Sequence, residues 1–209
     1  MRPSHVLTLA ALLPQLGCAL LTKSKPFDSR YFSPDLSTTA TTPVAQSGLE
    51  LRLGPVTAAG YIGERFVFRE SPYEVQFVDD ERWTEKPESY VRRALARTLF
   101  TRRGVRQIVY GGGTTIDVDV VAFDEVRAPK HVARVEIVYR LSDDRVVRFT
   151  RSITVERAIE PATGAAAADA VVAALARALS DSVDRVADQT IAELRVERSA
   201  EGDAAAVTP

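Results

Sequence analysis

The chain has 209 residues, with 27 Lys and Arg against 28 Asp and Glu and a formal net charge of −1. That length suffices for one domain with a sizeable core, and the near-balance of charge excludes a general electrostatic attraction to nucleic acid. One cysteine excludes an internal disulfide.

Residues 1–17 read as a signal peptide. Arg2 supplies a minimal positive start, and Val6–Leu13 is an apolar run too short to span a bilayer. Leu16-Gly17-Cys18 follows, placing the sole cysteine where a lipoprotein signal peptidase cuts, although Gln15 stands where leucine is usual. Ala19 directs a lipidated Cys18 to the outer membrane, since lipoproteins retained at the inner membrane usually carry Asp there. Residues 18–48 are rich in Ser, Thr and Pro and read as a lipidated tether. Fully extended, about 30 residues reach on the order of 100 Å.

The folded domain is expected over 49–196. Leu49, Leu51 and Leu53 alternate with Glu50 and Arg52 as a half-buried strand ended by Gly54-Pro55. Arg65–Arg69 alternates again through Phe66 and Phe68, and a third strand follows at Tyr73, Val75 and Phe77. Asp79, Asp80 and Glu81 break that run into an acidic turn before the only tryptophan, Trp83. Pro87 opens a helix, because proline's missing N–H would lack a partner at that position anyway. Glu85 and Glu88 at one end and Arg102–Arg103 at the other complement the helix dipole, and Gly104 stops the helix. Val91, Ala94, Leu95 and Leu99 make its buried stripe.

Arg106–Tyr110 reads as a short strand with Ile108 and Tyr110 inward. Three longer strands follow at Thr115–Val126, Val132–Leu141 and Arg145–Val155, the last two joined by a Ser142-Asp143-Asp144 turn. A final helix spans Ala165–Arg195, with Val172, Leu175, Leu179, Val183, Val186, Ile191 and Leu194 inward. At about 1.5 Å per residue it is about 45 Å long. The excess over an ordinary helix is available for a bend or for a second subunit, so a homo-oligomer is one expectation. Residues 197–209 read as a disordered tail. The fold class is α/β: a single domain with a mixed sheet of about six or seven strands flanked by two main helices.

Candidate chemistry is sparse. Gly111-Gly112-Gly113 follows a strand but precedes another, without the helix N-terminus and Lys-Ser/Thr of a phosphate loop. Asp117 and Asp119 share a strand face roughly 6–7 Å apart, a spacing that glycosidase carboxylates use and that a solvated strand face also produces. His5 and His131 are the only histidines, too few for a metal cluster or a Ser–His–Asp set. No catalytic residue, metal or cofactor is expected. Arg92, Arg93, Arg97, Arg102 and Arg103 give the first helix a basic side, read as a solvated face or as a docking surface for an acidic protein partner or anionic lipid headgroups. Arg82, Trp83, Arg92, Arg93 and Arg97 form the expected partner-binding set, with Trp83 read first as an anchor that packs the acidic turn onto the sheet.

Arg82-Trp83-Thr84-Glu85, Pro87 and the Ala94-Leu95-Ala96 helix form an R-W-x-E-x-P then A-L-A-x-x-L order. That order resembles the ABC-type transport auxiliary lipoproteins, including the paraquat-inducible C-type outer-membrane lipoproteins that serve MCE-type (mammalian-cell-entry) transport. Here Lys86 is inserted before the proline. LRLGPVTAAGYIGERFVFRE (51–70) is similar to the family's first strands, and Arg30–Phe32 to a short strand that docks on the domain. The resemblance implies a non-enzymatic accessory protein on the periplasmic face of the outer membrane. Its implied partner is an MCE-type substrate-binding protein of an ABC system that moves lipid or another hydrophobic compound between membranes. The alternative is an envelope lipoprotein that activates a peptidoglycan synthase or joins a Tol-like complex. A third reading, an envelope hydrolase using Asp117 and Asp119, rests on that carboxylate spacing alone.

Overall fold

The computed structural model describes residues 28–34 and 44–206. The signal segment and Cys18 lie outside the described residues. The elements in order are β1 Arg30–Phe32, β2 Glu50–Ala58, β3 Arg65–Ser71, β4 Glu74–Trp83, α1 Pro87–Ala96, β5 Arg106–Gln107, β6 Thr115–Val126, β7 Val132–Ser142, β8 Val147–Ala158 and α2 Ala165–Ala206. A π-helical turn, Arg97–Arg102, continues α1.

The sheet is organised around β6. One edge of β6 pairs antiparallel with β7 from Thr115↔Ser142 to Val126↔Val132. Its other edge is shared: β2 lies parallel to the first half, from Arg52↔Thr115 to Ala58↔Val120, and β3 lies parallel to the end, at Phe68↔Glu125 and Arg69↔Val126. β5 extends the β2 side, β4 and then β1 extend the β3 side, and β8 pairs with β7. The result is an open, mixed, eight-stranded sheet among the described residues.

Both helices pack on one face. Ala133, Val135, Ile137, Tyr139 and Leu141 of β7 alternate inward and join one core with Val91, Leu95 and Leu99 and with Leu175, Leu179, Val183 and Val186 of α2. Such period-two burial against helical three- and four-residue stripes is what a sheet with one covered face requires. Among the described residues, the opposite face of the sheet carries no helix.

Several sequence-based expectations shift. β2 runs on through Gly54-Pro55, accommodated by a register break between Leu53 and Val56. Asp79, Asp80 and Glu81 belong to β4, not to a turn; β1 borders β4 only from Glu81, so the exposed Asp79 and Asp80 lie where a strand margin tolerates charge. β5 has two residues, and Tyr110 is 91 % exposed where an inward position was expected. Val172 is half-buried, displaced from the α2 stripe by Val171, Ala174 and Ala178. α2 also continues to Ala206 where a disordered tail was expected from 197; Glu197 accepts from Thr114 and pairs with Arg148 of β8, which holds the last turns against the sheet. Gly104 ends the π turn at φ 68°, where its missing side chain leaves room for the Ala45 carbonyl.

Candidate interaction surface

Trp83 closes β4 at the point where β1, β3 and β4 converge. Its ring stacks on Phe66 at 4.0 Å and meets Phe123 and Tyr90 edge-on at 5.3 and 6.2 Å, and Phe32 of β1 packs on Phe66 at 5.2 Å. At 2 % exposure, Trp83 offers a partner no surface. The expected docking residue is an interior anchor that joins β1, the sheet and α1. The Tyr90 hydroxyl accepts from the Glu85 backbone N–H at 2.9 Å and shares a hydrogen bond with the Thr84 hydroxyl, fixing the entry to α1. Lys86 is the N-cap residue and Pro87 is the first helical residue, as the proline position requires.

The other four expected residues sit as follows. Arg82 is half-buried and turns back to donate to the Val78 and Glu81 carbonyls. Arg92 is exposed and donates to the Gly54 carbonyl at 2.8 Å. Arg93 forks onto Glu85 at 3.1 Å through both terminal nitrogens and lies over the Tyr90 ring. Arg97 is half-buried at the start of the π turn. Further along, Arg102 and Arg103 bind Asp184 and Asp188 of α2. The structure thus gathers Arg92, Arg93 and Arg97 on one helix. Some of their hydrogen-bonding capacity is met within the domain, and Arg92 keeps the most open surface.

The uncovered sheet face holds a groove of about 360 Å³ lined by Pro55, Thr57, Asp117, Asp119, Val138 and Arg140, among others. Asp117 and Asp119 meet here, but each has a cross-strand partner. Arg140 reaches Asp117 at 3.3 Å, and Thr57 donates to Asp119 at 3.1 Å. The pair therefore reads as a strand-ladder polar face. The Gly111–Gly113 segment is the β5–β6 loop, and His131 binds Glu125 at 2.6 Å. Among the described residues, no group of three His, Cys, Asp or Glu side chains gathers as a metal site.

Asp124 was missed by sequence reasoning. It is fully buried on the uncovered face, held by Arg69 at 2.7 Å and by Arg134 at 2.9 and 3.1 Å. Burial works against the Arg69 charge, but Asp124 and Tyr61 outweigh it and hold the guanidinium above its ordinary range. Burial, with Asp80 beside it, raises the Glu81 carboxyl against the opposing pull of Arg30. Two adjacent acids, Asp124-Glu125, inside an apolar strand were the available signal. Asp124→Ala should cost about 2–3 kcal/mol in urea unfolding. That is below the full cost of breaking a buried pair, because water reaches the 14 % and 25 % exposed arginines. A loss below about 0.5 kcal/mol would show that the clamp contributes nothing net.

The family described as "ABC-type transport auxiliary lipoprotein component" matches residues 33–187, from the end of β1 into α2. The chain belongs to this family. A crystal structure of protein XCC0632 from Xanthomonas campestris, of family DUF330, is similar in fold with a TM-score of 0.66. It is 21 % identical over 83 % of this chain and 99 % of that one. A second solved structure, of a protein described as uncharacterized, gives a TM-score of 0.59 at 16 % identity over 78 % of this chain and 99 % of its own. No curated protein matches the sequence. At these identities the structural likenesses establish the shared fold, and the family match supplies the lipoprotein and transport association. No helix among the described residues is long and apolar enough to cross a membrane.

Proposed function

We propose that this protein is a non-enzymatic, membrane-anchored accessory component of an ABC/MCE-type system moving lipid or another hydrophobic compound between membranes. In this reading Cys18 is lipidated, the domain lies on the periplasmic face of the outer membrane, and it works by positioning an MCE-type substrate-binding partner. The family match over 33–187 carries the proposal. It is supported by ion pairs that tie the sheet and helices together, such as Arg69–Asp124 and Arg103–Asp188, an arrangement suited to holding and docking.

The arginine side of α1 is the surface assigned to steering the partner, since exposed charge acts mainly on encounter and orientation. Tagged wild-type protein should co-purify an MCE-type component from detergent-solubilised membranes. Charge reversal at Arg92 and Arg97 together should lower that yield without changing the melting temperature. The difference should shrink as salt rises, because screening sets in beyond ~8–10 Å at physiological ionic strength. Equal recovery at low salt would remove this surface. Recovery of a peptidoglycan synthase in place of an MCE component would move the protein to the alternative envelope role.

A further inference from the structure

Among the described residues, five of the eight exposed large apolar side chains lie at one pole, with Tyr31, Val44 and Tyr73 outside the group. Val109 is 64 % exposed and Tyr110 91 % in the β5–β6 loop; Val146 and Val147 are 59 % and 55 % exposed at the β7–β8 turn; Val196 on α2 is 64 % exposed. These segments are neighbours. Gly112 abuts the Asp144 carboxylate, and Glu197 ties α2 to both Thr114 and Arg148. Clustering of this kind on a folded domain marks a contact surface.

The tip is apolar at its centre, and most arginines at its rim meet acids or carbonyls, with Arg145 exposed in the turn beside Asp144. Arg148 pairs with Asp143 and Glu197, Arg106 with Glu50, and Arg52 donates to the Gly111 carbonyl. Backbone N–H groups of Arg145 and Val146 hold the Asp143 carboxylate below its usual range. An anionic bilayer would instead favour a surplus of Lys and Arg around the apolar centre. The rim suits a protein surface.

The position of the N-terminus says which way the tip faces. Arg30 of β1 donates to the carbonyl of Ala165, at the start of α2, whereas Glu197 near the other end lies at the tip. At ~1.5 Å per residue, the helix separates those two points by about 48 Å. The roughly twelve residues from Cys18 to Arg30 reach at most about 42 Å even when fully extended. While β1 stays docked, a lipid on Cys18 therefore keeps the tip off the membrane that holds it.

We propose that this tip is the contact for a partner protein approaching from the opposite side of the periplasm, docked by apolar burial around Tyr110 and Val146. The direction of approach rests on the anchored reading above. The arginine side of α1 then steers, and the tip holds.

A photo-crosslinking residue placed at Val109 or Val147 in the full-length lipoprotein, in cells, tests this, with Tyr73 in the β3–β4 turn as the control position. Adducts are identified by mass spectrometry. The tip positions should capture an inner-membrane-anchored protein. Tyr110→Ser with Val146→Ser should cut the yield roughly tenfold at unchanged melting temperature, while Tyr73 should not capture that protein. If the captured protein is not an MCE-type component, the tip contact stands and the MCE reading falls. Adducts only with lipid, only with a second copy of this chain, or with nothing overturn the proposal, as does a yield unchanged by the double substitution.

Discussion

A Leu95→Asp variant is expected to be unfolded at room temperature, whereas Arg93→Glu should melt within a few degrees of the wild type. Leu95 has no exposed surface and sits mid-stripe on α1 within the core that both helices share with the sheet. A carboxylate there finds no cation, and an unpaired buried charge costs several kcal/mol or forces the site open. A domain stabilised by only about 5–15 kcal/mol does not absorb that together with the lost packing. Arg93 and Glu85 are about two-fifths exposed, so their pair contributes about 0–1 kcal/mol. Thermal unfolding followed by circular dichroism decides the matter. Similar melting temperatures for the two variants would put Leu95 outside the core.

Trp83→Ala should cost about 3–5 kcal/mol, at the upper end for a core truncation, because Phe66, Phe123 and Tyr90 all rest on one ring. Trp83→Phe should cost well under half of that. It keeps an aromatic face against Phe66 and removes an indole N–H that is buried with no protein acceptor among the described residues. Urea unfolding of the three proteins gives the comparison. Equal losses for the alanine and phenylalanine variants would mean that the indole's full shape, not aromatic packing, sets the stability. The alanine variant should also loosen β1, whose Phe32 reaches the cluster through Phe66.

Much of this architecture was legible because local signals and tertiary demands coincide. Thr115–Val126 is the same strand in sequence and structure, and Pro87 and Gly104 delimit the helical segment by backbone chemistry alone. The failures also have physical causes. β6 carries one extra residue at Val121, between the pairs Val120↔Ile137 and Ala122↔Glu136. Beyond it the inward phase changes, sending Phe123 to Trp83 and Asp124 to the arginines, a switch that strict alternation does not anticipate. The widened turn at Arg97–Arg102 leaves no mark in a stripe read at three- and four-residue steps. Tyr110 looked inward because hydrophobic pattern alone does not distinguish a buried strand from an apolar loop. Arg102 and Arg103 at the end of the helical segment were visible in the sequence, but the acids they meet on α2 lie too far along the chain to be inferred.

The attachment of β1 has a mechanical consequence. Its three residues pair only with the end of β4, from Arg30↔Glu81 to Phe32↔Trp83, at the margin of the sheet. With Cys18 fixed in a membrane, tension on the chain falls on this short seam before it reaches the long β6–β7 and β7–β8 ladders. While the seam holds, the leash is roughly twelve residues and about 42 Å at full stretch. Once it parts, the leash runs to the start of β2, roughly thirty residues and on the order of 100 Å. In the anchored reading proposed above, β1 would act as stored slack: under low load the domain would stay close to its membrane, and under high load it would be let out to more than twice that distance with the long ladders still paired.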